Sequence, residues 1–303
     1  MNEKTQNTKI IYALGFFDGV HLGHQALLAA CCQLAQQKGC QSGVVTFSVH
    51  PDGLVSGTAP KLLNTAPDRN GLLRAYGIQE ILELPFDEDV KNTHWASFLT
   101  QLVAAGAAGF VCGDDFRFGS GGLGTPKKLA AFCEKRGLAY AVVPQQEVDG
   151  VRVSSTHIRQ LLEMGEMEQA NRFLGHPHLL TGEVVAGRKL GRTIGIPTAN
   201  MEIPEGLAVP RLGVYAGVTV VDGKRYLTVT NIGSRPTVGG HQVRAESWLL
   251  DFEGDLYGKP MTLAFLKFLR PEKKFESLEE LKAQILKDAQ QVREWKISAC
   301  HSE

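Results

Sequence analysis

The chain has no excess of charge of either sign: 32 lysines and arginines stand against 32 aspartates and glutamates across 303 residues. That balance removes the electrostatic case for a protein whose main partner is a nucleic-acid backbone or an anionic membrane, and leaves local phosphate sites to consider. Long hydrophobic runs are missing too. The longest weakly polar stretch, LVAAGAAGFVCG at 102–113, falls short of the roughly 20 residues that a bilayer-spanning helix needs. The opening MNEKTQNTK is polar and carries both signs, so a secretory leader is not expected. Cysteine is scarce and unpatterned, six residues at 31, 32, 40, 112, 133 and 300 with no C-x-x-C spacing. Neither a disulfide framework nor a zinc site is expected, and the thiols read as reduced, mostly core side chains of a cytoplasmic protein. The G-x-G-x-x-G dinucleotide fingerprint is absent, as are internal repeats and low-complexity segments.

What is present divides into two grammars. A chain of 303 residues exceeds the usual single domain, so two are expected, each able to bury its own core. In the first part, short β-rich runs (KIIYALGFF, SGVVTFS, GFVCG, YAVVP) alternate with helical patterns such as Leu27, Leu28, Cys31, Leu34 and Ala35. This alternation predicts a parallel sheet with helices on both faces. THIRQLLEMGEMEQANRFLGHP at 156–177 reads as two short bridging helices. From about residue 181 the runs are rich in valine, threonine and tyrosine, and GVYAGVTVV and RYLTVTNIG flank Asp222-Gly223, a tight-hairpin signal. An antiparallel β-barrel is predicted there, followed by a terminal helix with a Ser277/Glu280 capping box. The expected domains are 1–180, bridging helices included, and 181–303.

Two stretches concentrate chemistry. In GFFDGVHLGH, at 15–24, a strand runs into a glycine-containing turn and opens a helix, which delivers unpaired N–H groups and a positive dipole end to one spot. His21 and His24 are three apart, so a helix starting near His21 puts both imidazoles on one side of its first turn, and Gly23 leaves no side chain to block a triphosphate. Taken alone, a histidine pair at this spacing favours an ordinary surface loop; the glycines and the strand-to-helix context favour phosphate handling. The second stretch, GRKLGRTIGIPTANM at 187–201, holds glycines, basic residues and a P-T-A-N tetrad. Thr198 and Asn200, two apart on an extended segment, share a face and can offer oxygens to one Mg²⁺.

The first stretch resembles the H-x-G-H signature of nucleotidyltransferases, in the form carried by prokaryotic bifunctional riboflavin kinase/FAD synthetases. TFSVHP (46–51), GDDFRFG (113–119) and RVSSTHIR (152–159) resemble three further elements of that family in the same order, with Val49 where the family usually has proline. The second stretch resembles the riboflavin kinase signature G-x-P-T-A-N, and GVYAG, NIGSRPT, AESWLLDFEGDLYG and LRPEKKFESLEELKAQI have counterparts downstream.

The resemblance implies a Rossmann-like nucleotidyltransferase domain followed by a riboflavin-kinase-like barrel, and an enzyme of flavin cofactor biosynthesis. Riboflavin and ATP would give FMN in the C-terminal module; FMN and ATP would give FAD and pyrophosphate in the N-terminal one. For adenylyl transfer it implies catalytic roles for His21, His24 and Arg159 and ATP contacts from Gly15, Phe16, Gly23, Arg152, Ser155 and Thr156. Flavin contacts would come from His50, Asp115 and Phe116 or Phe118. For the kinase it implies Glu246 as general base, ATP contacts from Gly187, Gly191, Gly195 and Pro197, Mg²⁺ on Thr198 and Asn200, and Arg270 on a flavin or nucleotide phosphate. Trp248 stands where many relatives have histidine. The alternatives are a monofunctional kinase with an inactive N-terminal module and a flavin-sensing regulator. The expected partners are small-molecule substrates, with no nucleic acid and no membrane.

Overall fold

The computed structural model describes residues 9–187, 191, 194–237 and 240–299, which divide into two compact units: one of residues up to 62 with 66–154, the other of residues 63–65 with those from 155 onward. In the first unit, β1 (Ile10–Leu14), β2 (Gln41–Phe47), β3 (Glu80–Leu84), β4 (Ala107–Gly113) and β5 (Ala139–Val143) form a sheet in the order β3-β2-β1-β4-β5. Every neighbouring pair is parallel, so each strand must be followed by a crossover. The connections carry α1 (Leu22–Lys38), α2 (Asp52–Val55), α3 (Ala66–Ala75), α4 (Glu88–Asn92), α5 (Trp95–Ala104) and α6 (Pro126–Arg136). Beyond β5 a small ribbon pairs β6 (Glu147–Val148) with β7 (Val151–Arg152).

Strand β1 is apolar throughout because helices cover both faces of the sheet. Ile11 and Ala13 belong to the cluster that includes Leu28, Cys31 and Ala35 of α1. Tyr12 and Leu14 belong to the one that includes Leu99 and Leu102 of α5 and Leu129 and Phe132 of α6. Alternate residues of an extended chain point to opposite faces, and here both faces are core. The strand order also makes β1 the switch point: β2 and β3 extend the sheet to one side, then the chain crosses over to add β4 and β5 on the other. Loops leaving adjacent strands at such a point diverge and open a crevice at the carboxyl ends.

The second unit begins with α7 (Ser155–Met164) and α8 (Met167–Leu174), the two helices expected at 156–177. The expected boundary at 180/181 places them with the N-terminal module; by contacts they cluster with the barrel, onto which α8 is tied by the Asn171 side chain. Its amide donates to the Phe265 carbonyl at 2.8 Å, and its carbonyl accepts the His178 N–H at 2.8 Å. Six antiparallel strands follow in the order β8-β13-β10-β11-β12-β9. They are β8 (His178–Glu183), β9 (Ala199–Glu202), β10 (Gly213–Val221), β11 (Lys224–Thr237), β12 (Gly240–Leu249) and β13 (Pro260–Arg270). A bridge between Val185, just past β8, and Asn200 of β9 joins the two edges, so the sheet is nearly closed. The β10–β11 hairpin turns at Asp222 and Gly223, with φ of 49° and 77°, as the Asp-Gly pair predicts. Helix α9 (Leu278–Ala299) packs Ala289 and Val292 on Val214, Ala216 and Val229. Ser277 Oγ accepts the Glu280 N–H at 3.2 Å as in a capping box, but Glu280 reaches the Glu276 amide rather than that of Ser277.

His178 is buried at the α8–β8 junction, its ring facing Phe265 and its Nδ1 without a hydrogen-bond partner. Burial, with a smaller contribution from His176, pushes its pKa down to about 4. Because the folded-state value lies below the unfolded one, stability is complete above about pH 6.5 and declines as pH falls through the window down to about 4. Through this group alone the fold should lose about 2 kcal/mol between pH 7 and pH 5. Urea unfolding at both pH values should show that loss in the wild type and its removal in His178→Leu; an unchanged slope in the variant would refute the assignment.

Candidate active sites

Strand β1 ends at Leu14, earlier than the apolar run KIIYALGFF predicts. Phe17 is apolar because it plugs the core beneath the turn, fully buried among the residues that include Val20 and Leu28. Its φ is 61°, and φ is also positive at Gly19 (81°) and Val20 (41°). A β-branched residue in that region is strained, and such strain concentrates where a turn must aim side chains. Hydrogen bonds hold it: Val20 N–H to the Phe17 carbonyl at 3.1 Å, and Gln25 Nε2 to the Val20 carbonyl at 2.9 Å.

The turn delivers His21 as the N-cap of α1, its Nδ1 accepting the His24 N–H at 3.3 Å. In the neutral ring this puts the proton on Nε2. The His24 ring stacks on that of His21, centroids 3.7 Å apart and planes 12° apart, and meets Phe17 edge-on at 5.3 Å. The spacing of three therefore does bring both imidazoles together. Burial first, and His21 second, hold the His24 pKa well below the ordinary histidine value, so it is a neutral hydrogen-bonding group. Its Nδ1 is buried without a partner. At Gly23 a Cβ would stand 3.2 Å from two atoms of the His21 ring, so a side chain there would press on the imidazole.

Beside this turn, in the crevice the topology predicts, lies a cavity of about 260 Å³. Its wall includes Phe16, Phe47, His50, Phe86, Phe116 and Phe118, a mostly aromatic slot suited to a flat ring system. Gly15 and Phe16, expected at ATP, stand on this wall. His50 accepts the Asp52 N–H at 3.2 Å and meets the Phe16 ring at 4.6 Å. Phe116 and Phe118 stack at 5.6 Å, so both aromatics of GDDFRFG serve the cavity. Asp115 is not among its lining residues; it forms an ion pair with Arg152 of β7, and both side chains are half exposed. Arg69 of α3, which the sequence reading missed, is buried behind Phe16. No local motif marks it. Ser155, Thr156 and Arg159 occupy the first turns of α7, within the second unit, where Ile158, Leu161 and Leu162 form the helix's buried side.

In the barrel, Glu246 of β12 lies opposite Asn231 of β11 and Asn200 of β9. Directly opposed residues of antiparallel strands project to one face, so the register groups the carboxylate with two carboxamides. A cavity of about 230 Å³ between this face and α9 is lined by Thr198, Asn231, Glu246, Trp248, Arg270 and Phe275, among others. A second, of about 190 Å³, is lined by Pro197, Thr198, Gly254, Asp255 and Tyr257, among others. Thr198 lines both. Asn200 is buried, and its Nδ2 donates to the Thr198 carbonyl at 3.3 Å; a Cβ at Gly187 would stand 2.6 Å from that nitrogen. The Gly191 carbonyl accepts the Ile196 N–H at 2.7 Å, and Gly195 is exposed. Arg188, Lys189 and Arg192 lie outside the described residues. Arg270 grips Asp288 of α9 through Nε at 3.1 Å and Nη2 at 2.8 Å, which anchors the helix over the cavity. Among the described residues, no group of three or more His, Cys, Asp or Glu is placed to hold a metal. Neutral oxygens of Thr198 and Asn200 beside Glu246 suit a hard cation that takes most of its ligands from water and phosphate, as Mg²⁺ does.

Comparison with known proteins gives one family match over each of these two cavities. The FAD synthetase family model matches residues 3–157 and the riboflavin kinase model residues 174–296. The bifunctional riboflavin kinase/FMN adenylyltransferase of Listeria monocytogenes is 37% identical over 296 residues, covering 96% of this chain and 94% of that one. This chain belongs to that bifunctional family. The member from Bacillus subtilis is 35% identical, covering 95% of this chain and 93% of its own length. A solved structure named as a macrolide-efflux protein from Streptococcus pneumoniae superposes with a TM-score of 0.86 at 29% identity, covering 95% of both chains. Among the described residues here, no helix is long and apolar enough to cross a membrane. The histidine pair and the aromatic cavity fall inside the FAD synthetase match, while Thr198, Asn200 and Glu246 fall inside the riboflavin kinase match.

Proposed function

We propose that the chain makes FMN from riboflavin and ATP in its barrel and FAD from FMN and ATP in its parallel-sheet unit, with catalytic modules divided at 180/181. The observation that carries this reading is the presence of two separately built sites, each inside its own family match. In the barrel, Glu246 takes the proton from the ribityl 5′-hydroxyl as that oxygen attacks the γ-phosphorus of ATP, the bond from that phosphorus to the β–γ bridging oxygen breaks and ADP leaves. Thr198 lines both cavities, which supports flavin on the Glu246 side and nucleotide on the Tyr257 side. Thr198 and Asn200 would hold Mg²⁺, which when bound neutralises phosphate charge. Gly187, Gly191, Gly195 and Pro197 shape the nucleotide loop, and Arg270 sets one wall of the acceptor site.

In the other module, a phosphate oxygen of FMN attacks the α-phosphorus of ATP and pyrophosphate leaves, without a covalent enzyme intermediate. His21 and His24 offer hydrogen bonds to the phosphates, and Ser155, Thr156 and Arg159 complete the nucleotide contacts. The aromatic slot takes the isoalloxazine, with Phe118 on its wall. Arg152 reaches ATP, and Asp115 the pyrimidine edge, by leaving their mutual ion pair. Five free cysteines among the described residues suit the reducing cytoplasm.

Purified protein given riboflavin, ATP and Mg²⁺ should show FMN first and FAD later, with pyrophosphate released only in the second step. FMN that accumulates without FAD would leave a monofunctional kinase, and flavin bound without turnover would leave a sensor.

A further inference from the structure

We infer that Arg69 is a positioning residue of the FMN site, holding two walls of the aromatic cavity through their main chain without touching substrate. The inference rests on the proposed adenylylation of FMN. Arg69 is 4% exposed, and burying a guanidinium is costly unless its donors find acceptors. One acceptor is expected on electrostatic grounds: Glu83 Oε2, 3.0 Å from Nη2. Two more are carbonyls of the cavity wall, while Nε is buried without a partner. Nη2 also donates to the Phe47 carbonyl at 3.1 Å, and Nη1 donates to that of Phe16 at 3.4 Å. The guanidinium carbon stands 4.8 Å from the Phe16 ring centroid, so the same cation steadies the ring whose carbonyl it binds.

Phe16 follows β1 and Phe47 is the last residue of β2, and both line the cavity. The Phe16 carbonyl also accepts Thr46 Oγ1 at 3.0 Å. Two donors on this carbonyl fix the peptide that leads into Phe17, where φ is 61° and the backbone would otherwise relax. Through the Phe16–His50 ring contact the restraint extends to the loop after β2. A lysine at 69 would bring one compact charge instead of a planar fork, and could not serve both carbonyls and Glu83 with the same geometry.

The test is steady-state FAD formation from added FMN and ATP by the full chain, with riboflavin phosphorylation in the same preparation as the control. Arg69→Met should raise the KM for FMN about tenfold or more while the KM for ATP and the kinase rate stay within about twofold. Arg69→Lys should recover part of the loss. Thr46→Val, which removes the other donor to the Phe16 carbonyl, should shift the FMN KM in the same direction, and the double variant should lose less than the product of the single losses. An unchanged FMN KM in Arg69→Met, or a fall confined to kcat, overturns the proposal. If Arg69→Met unfolds the first unit, Arg69→Lys and Thr46→Val decide, and no FMN KM shift in either overturns it. A wild type that makes no FAD from FMN overturns the adenylylation reading and this role with it, a result distinct from an active wild type with an indifferent Arg69→Met.

Discussion

Glu246→Gln should lower FMN formation by about 10²–10⁴-fold and leave the conversion of added FMN to FAD unchanged. Glutamine keeps the length and shape of the side chain but cannot accept the ribityl hydroxyl proton, so the loss isolates base chemistry from packing. The site tolerates the exchange structurally. Glu246 is partly exposed on β12, held in register between Asn231 and Asn200, and a carboxamide can occupy that face beside two others. Because removal of a transition-state interaction lowers kcat and kcat/KM together, the KM for riboflavin should move little. The measurement is a time course of flavins from riboflavin in one reaction and from FMN in another. A variant that still makes FMN at the wild-type rate would remove Glu246 from the chemistry.

The reciprocal result is expected at the other site. His24→Ala should cut FAD formation by about 10²–10³-fold, the usual effect of losing one donor aimed at developing charge, while FMN formation continues. His24 is the cleaner target of the pair because His21 also caps α1, and its removal would cost about 1 kcal/mol of helix stability besides any catalytic loss. The neutrality that burial imposes on His24 assigns it hydrogen bonding rather than permanent charge. His24→Gln, which retains an N–H donor, should therefore recover part of the rate. Pyrophosphate release with FMN and ATP is the direct readout, and normal release from His24→Ala would exclude the histidine. Opposite losses in the two variants would show that the sites work independently within one chain.

Much of the architecture was legible because it is written in local conformational demands. The run IIYAL, the helical spacing of Leu28, Cys31 and Ala35, and the Asp222-Gly223 turn each specify backbone geometry within a few residues, and the folded chain contains the strand, helix and hairpin they predict. The end of β1 is not legible in the same way, for an equally physical reason: apolar residues mark burial, and Phe17 reaches the core from a left-handed turn rather than from a strand.

By itself, then, the amino-acid order determined the two modules, the strand-to-helix turn carrying His21 and His24, and the extended P-T-A-N segment. Only the tertiary structure decided which distant groups meet: Arg152 with Asp115, Arg69 with the carbonyls of Phe16 and Phe47, Glu246 between Asn200 and Asn231, and Thr198 on two cavities. The reason is that a dihedral preference acts on neighbours along the chain, whereas these contacts depend on strand order and register, which the whole hydrophobic pattern selects at once.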